Sequence, residues 1–187
     1  MSADELLRLA AEDPERAYEK ALAAIDATVD DGPRIAALRA AALAAKELGR
    51  LDEGIGLLHT ALAAAEKAGL PYQAAQAQMN LVGLLTARGD LAGALTAADI
   101  AAPVLTGTDA DRLAANRACA LARSGRLDEA LADVNRALEL EPRNGRYRYL
   151  RAGVYGELGA PTAARLDAEV ACEAGVREAC RDLGRRR

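Results

Sequence analysis

Residues 122–142 read ARSGRLDEALADVNRALELEP, and the intervals inside this stretch decide the fold. Gly125 ends one helical pattern, Leu127 opens another, Ala130 and Ala137 stand seven residues apart, and Pro142 closes it. Seven residues are two helical turns, so both alanines lie on one face, where small side chains admit a neighbouring helix. A glycine suits a helix C-terminus because it tolerates positive φ. The stretch reads as helix end, turn and second helix.

The same wording recurs along the chain. Gly49, Gly89, Gly125 and Gly159 stand 40, 36 and 34 residues apart, each between two helical patterns, which is the signature of a repeat array. Five residues beyond these glycines come Gly54, Ala94, Ala130 and Ala164, and seven further on Ala61, Ala101, Ala137 and Ala171. Asp90 is placed to cap a following helix and Pro161 to occupy a first turn. The pattern predicts helices near 2–11, 14–30, 34–48, 51–68, 71–88, 91–105, 110–124, 127–140, 145–158 and 161–174, with a short one at 176–183. Ser2 with Glu5 reads as a capping box.

Composition agrees with an all-α chain. Of 187 residues, 51% are hydrophobic but only 3% aromatic, with no Trp or Phe; alanine, the strongest helix former, is the commonest residue. Alternating runs of β-branched and aromatic residues are absent. A net charge of −4 argues against nucleic acid as a partner, which calls for a broad basic surface. The start lacks a basic segment leading into an apolar one, and no apolar run approaches a membrane span. A cytoplasmic chain without a membrane partner is expected. Cys119, Cys172 and Cys180 are too few and too irregular for a disulfide framework or a zinc cluster, so free thiols are expected.

These residues resemble the tetratricopeptide repeat (TPR) family. The clearest copy spans Asp111 to Asn144 and matches at Ala118, Leu121, Gly125, Leu127, Ala130, Ala137 and Pro142. The next, from Gly145, matches at Ala152, Tyr155, Gly159, Ala164 and Ala171, with Val176 where the proline would stand. The resemblance implies a right-handed solenoid of antiparallel helix pairs over a single domain, 1–187. Its parts are a degenerate pair at 1–33, repeat units at 34–70, 71–109, 110–144 and 145–175, and a capping helix and tail at 176–187.

Chemistry is hard to find. His59 is the single histidine and lies among leucines of a second helix, so a Ser-His-Asp or Cys-His arrangement has no support. Asp52-Glu53 and Asp128-Glu129 fall in first helical turns, where negative charge favours the helix dipole. No phosphate loop, calcium loop or metal-ligand set appears. A non-enzyme without cofactor or metal is expected. An enzymatic reading would need a cluster around Cys119, Tyr149 and Glu157.

Charge, by contrast, divides by helix type. First helices carry a basic excess through Arg34, Arg39, Arg88, Arg112, Arg117, Arg123, Arg146, Arg148 and Arg151, while second helices carry most of the acids. In the family, first helices line the concave face, so the resemblance implies a basic groove that holds an extended or acidic peptide. The competing reading is that arginines such as Arg117 and Arg151 lie between helices and support packing. Asn80 and Asn116 occupy equivalent groove places, where an amide offers both a donor and an acceptor to a peptide backbone. Arg39, Asn80 and Arg112 also match three places of the carboxylate clamp found in chaperone-docking members; Leu43 and Asn116 depart from the other two. Tyr155 falls on an inward position and Tyr149 on the groove. The peptide-binding candidates are therefore Arg39, Asn80, Arg112, Asn116, Arg123, Arg146 and Tyr149, with a protein, peptide or C-terminal carboxylate as partner. The alternatives are a scaffold that assembles with itself as a homo-oligomer, or a regulatory partner of a separate catalytic protein, since the GRLDEAL wording is similar to bacterial repeats joined to protease domains.

Overall fold

The computed structural model describes residues 3–184, so Ser2 of the expected capping box lies outside the described residues. Eleven helices account for the described chain: α1 (Ala3–Glu12), α2 (Pro14–Ala27), α3 (Asp31–Glu47), α4 (Leu51–Lys67), α5 (Pro71–Arg88), α6 (Leu91–Ala101), α7 (Gly107–Arg123), α8 (Leu127–Leu140), α9 (Gly145–Glu157), α10 (Pro161–Glu173) and α11 (Arg177–Asp182). They form two compact units, Met1–Leu105 and Thr106–Arg187. In the first, α1 packs on α2 and α3, and α2 to α5 each pack on the next helix; in the second, α7 to α10 do the same. The all-α expectation and the helix-pair unit both hold.

Local chemistry explains the boundaries. Gly49, Gly89, Gly125 and Gly159 all take positive φ, from 71° to 92°, which a Cβ-bearing residue adopts at a cost of about 1–2 kcal/mol. Asp90 Oδ1 accepts from Gly93 N at 2.9 Å, and Asp13 Oδ1 accepts from Arg16 N at 3.1 Å; each supplies a partner to an otherwise orphaned first-turn amide. Four boundaries differ from expectation by three or more residues: α2 ends at Ala27 rather than 30, α3 begins at Asp31 rather than 34, and the end of α6 and the start of α7 also shift. Helix α6 stops at Ala101 instead of running to 105, because Pro103 has no N–H and its ring would collide with the preceding turn. Helix α7 begins at Gly107, whose φ of 58° redirects the chain.

The core is built from alanine. In α3, Ala37, Ala40, Ala41, Ala42, Ala44 and Ala45 are at most 2% exposed, so the helix is covered on nearly every side. At Gly54 the packing tightens further: an added Cβ would lie 2.5 Å from Leu84 Cδ2 and 2.9 Å from the Ala42 carbonyl oxygen. Ala94 and Ala130 are fully buried, as are Ala61, Ala101, Ala137 and Ala171. Ala164 is only half-buried, because it borders an open cleft near the last helix.

The cysteine expectation is corrected. Cys172 and Cys180 form a disulfide with a Cα separation of 4.7 Å, and Cys119 stays a thiol. The spacing looked irregular along the chain, but the turn at Gly175, with φ 93°, folds α11 back onto α10.

Candidate functional site

The seven candidate residues divide between the units. In the first, α3 and α5 draw Arg39 and Asn80 into their interface, where they are 8% and 6% exposed. Arg39 Nη1 donates to Gln76 Oε1 at 2.5 Å. Gln73, Gln76 and Asn80 fall three and four residues apart on α5 and share one face. The Asn80 Nδ2 and Gln73 Oε1 atoms are buried and unpaired among the described residues. These groups form a polar layer between helices.

In the second unit, Arg112 pairs with Asp109 one turn away at 3.6 Å. Asn116 is half-buried, and Arg123 is exposed in the last turn of α7, where its charge complements the negative end of the helix. Arg146 and Tyr149, one turn apart on α9, border a common cleft.

The charge division between helix types has a structural origin at several positions. Arg117 on α7 grips Asp133 on α8 through Nε at 2.6 Å and Nη2 at 2.7 Å. One repeat later, Arg151 on α9 grips Asp167 on α10 in the same way, at 2.6 and 2.9 Å, and Arg148 adds a third bond at 2.9 Å. Planar guanidinium forks suit such paired carboxylate contacts. Burial works to raise the Asp167 pKa, but Arg151 and Arg148 outweigh it and hold the carboxyl below its ordinary range. Asp167 in turn holds the Arg151 guanidinium more firmly charged. Arg88 likewise reaches Asp52 and Asp90, at 3.3 and 3.2 Å. Much of the first-helix basicity is thus neutralised inside the repeats, and Arg117 and Arg151 are packing residues.

The cleft in the second unit encloses about 710 Å³. Cys119 of α7 and Leu150, Ala152 and Gly153 of α9 give it an apolar side, Ala164, Arg165 and Ala168 come from α10, and α11 with the turn before it supplies Val176, Glu178, Asp182 and Leu183. Arg146 is exposed and makes no ion pair among the described residues, whereas Arg165 is tied to Glu169 at 3.1 Å. Tyr149 donates its hydroxyl to Asp182 Oδ2 at 2.7 Å; that bond, with burial second, raises the phenol pKa. The cleft is dipolar, with Arg146 on one wall and Glu178 and Asp182 on another.

Of the aromatic expectations, the inward one shifts. Tyr147 is the buried tyrosine at 9% exposure, while Tyr155 is half-buried under the Arg151 guanidinium, 5.6 Å from its ring centre. Cys119 and Tyr149 border the same cleft, but Glu157 is exposed and lies outside its lining. The α11 contributors were missed from the sequence, although counting 34 residues from Tyr149 reaches Leu183 and signals that α11 stands where a further first helix would begin. No group of three or more His, Cys, Asp or Glu side chains among the described residues is placed to hold a metal ion, and no described helix is long and apolar enough to cross a membrane.

Stacked helix pairs, closed by glycine turns and small-residue contacts, define a helical-repeat scaffold. The tetratricopeptide repeat profile matches residues 39–110 and 116–175, and the chain belongs to the tetratricopeptide repeat family. The family is generally a non-catalytic protein–protein interaction module. No curated protein matches the chain. Among solved structures, it is similar to PlcR of Bacillus thuringiensis in complex with the peptide PapR7 and DNA, with TM-score 0.79 and 17% identity over 97% of this chain and 71% of that one. It is also similar to TTC0263, a thermophilic TPR protein of Thermus thermophilus, with TM-score 0.68 and 21% identity over 93% and 92%. MamA AMB-1 matches with TM-score 0.59 and 20% identity over 91% and 95%. At these identities the likeness concerns the fold.

Proposed function

We propose that this chain is a cytoplasmic, non-catalytic adaptor that holds an extended peptide segment bearing a carboxylate, with the principal contact in the cleft beside α9. The observation that carries this reading is Arg146, an exposed guanidinium without an ion pair among the described residues, set beside Tyr149 over an apolar floor. A guanidinium takes a carboxylate in a two-point contact, the tyrosine ring gives the peptide an apolar wall, and Glu178 across the cleft accepts from its backbone N–H groups. The peptide complex of PlcR supports the choice of ligand class. Nucleic acid is not part of the proposal, given the net charge of −4.

The test titrates a short fluorescent peptide rich in Asp and Glu against the wild type and against Arg112→Glu/Arg146→Glu. Loss of a charge-assisted contact worth about 1.5–3 kcal/mol weakens binding roughly ten- to hundredfold, with the helical circular dichroism unchanged. Equal binding by both proteins defeats the proposal.

One observation favours a second reading, self-assembly. Leu166 and Val170 stand one turn apart on α10, 59% and 39% exposed, and an apolar stripe of this kind serves a partner helix. A sedimentation coefficient that stays monomeric across a wide concentration range removes that reading.

A further inference from the structure

We propose that the Cys172–Cys180 disulfide is a redox clip that decides whether α11 stays docked as a wall of the Arg146–Tyr149 cleft, so that peptide affinity follows the thiol state of the protein. The affinity half rests on the peptide-binding reading above; the docking half stands on geometry alone.

The geometry starts with the length of α11. It has six residues, too few for a helix to persist on its own propensity, so its place depends on what ties it down. Ala179 and Cys180 pack on Ala171 and Cys172, with Tyr149, Val176 and Leu183 around them, and the Tyr149 hydroxyl bonds Asp182. This is a small apolar contact and one exposed hydrogen bond. The third tie is covalent and spans eight positions. Closing a loop of that size before docking removes chain entropy equivalent to about 60-fold in the docking equilibrium. Among the three ties it is the one that chemistry can switch.

Docking matters to the cleft because Val176, Glu178, Asp182 and Leu183 belong to α11 or its flanks. When α11 lifts, the cleft loses its acidic wall, and Tyr149 loses both its hydroxyl partner and part of its packing. Arg146 keeps its charge but faces open solvent, where a carboxylate contact is weaker.

The redox step is ordinary thiol–disulfide exchange with a cellular dithiol as reductant. One thiolate of the dithiol attacks a sulfur of the pair, forming a mixed disulfide and releasing the other cysteine as a thiolate. The second thiol of the reductant then attacks the reductant's own sulfur in that mixed disulfide and releases the remaining cysteine, so two electrons and two protons end on Cys172 and Cys180 and the reductant leaves as its disulfide. Because Cys172 and Cys180 are 1% and 4% exposed, attack requires α11 to lift first. Whatever holds α11 down therefore protects the bond, and the coupling runs both ways: a peptide against α11 resists reduction, and reduction weakens the peptide. A disulfide that responds in this way is the kind that a reducing compartment accommodates.

The test compares oxidised protein, protein reduced with tris(2-carboxyethyl)phosphine, and Cys172→Ser/Cys180→Ser, with thiol counts checked by mass labelling. Hydrogen exchange at the α11 amides is expected to accelerate at least tenfold in the last two forms while α9 and α10 hold their protection. The acidic fluorescent peptide is expected to bind the oxidised form at least tenfold more tightly, and at saturation to slow reduction by a comparable factor. Unchanged α11 exchange after verified reduction overturns the clip. Faster exchange with equal peptide affinity overturns the link to the cleft. No peptide binding by any form defeats the adaptor reading and the affinity half with it, while the exchange result still decides the docking half.

Discussion

Replacing Asp167 by alanine is expected to destabilise the protein by about 3 kcal/mol at neutral pH. The carboxylate side chain is 6% exposed, and its partners Arg151 and Arg148 are 18% and 27% exposed. Removing one member of a buried, hydrogen-bonded ion pair costs about 3–5 kcal/mol, because the remaining charge is left unpaired. The partly exposed arginines recover some hydration, which places the cost at the low end. Urea unfolding followed by circular dichroism measures it, and a cycle with Arg151→Ala isolates the coupling, expected at about 2 kcal/mol. The pH dependence has a definite sign. Since Asp167 titrates below its ordinary value near 3.8, its contribution is complete above that value and lost as the pH falls through the folded-state pKa. The wild type and Asp167→Ala should therefore converge in strongly acidic solution. A loss under about 1 kcal/mol at pH 7, the range of exposed pairs, refutes the view that this bidentate pair locks α9 to α10.

Other consequences follow from the same packing. Gly54→Ala forces Cβ to 2.9 Å from a backbone oxygen and is expected to lower stability by about 1–3 kcal/mol, read as a fall in the urea midpoint. Gly56→Ala, on the next residue but one and with nothing within 4 Å of the added carbon, should instead raise it by about 0.5–1 kcal/mol. Gly153→Leu projects into the cleft, where an added Cβ also meets nothing within 4 Å; it should weaken acidic-peptide binding at least tenfold without lowering the thermal midpoint.

The fold was legible because its determinants repeat. Glycine at the turns and alanine five and twelve positions later specify a helix end and two close contacts whatever surrounds them, and the structure realises these at Gly125, Ala130 and Ala137. Helix ends that depend on a single residue, such as Pro103 before the expected end of α6, were harder to read. The candidate site was legible only in part. Arg146 and Tyr149 do border one cleft, but the sequence cannot distinguish an arginine that faces solvent from one that reaches across to the paired helix. Arg151 and Arg146 look alike along the chain, and only the carboxylate sixteen residues beyond Arg151 separates their roles. The walls supplied by α11 were hidden for a similar reason, since a six-residue helix has too little periodicity to announce which face it presents, and the bond that places it joins cysteines with no recurring spacing.

The adaptor reading turns on Arg146, which is exposed and can be reversed without disturbing the core. Fluorescence anisotropy of a short acidic peptide against oxidised wild type and Arg146→Glu measures its role directly. Binding by the wild type is expected to weaken with added salt, and the variant is expected to show at least a tenfold weaker Kd at equal helicity. Indistinguishable Kd values for the two proteins would contradict the adaptor reading.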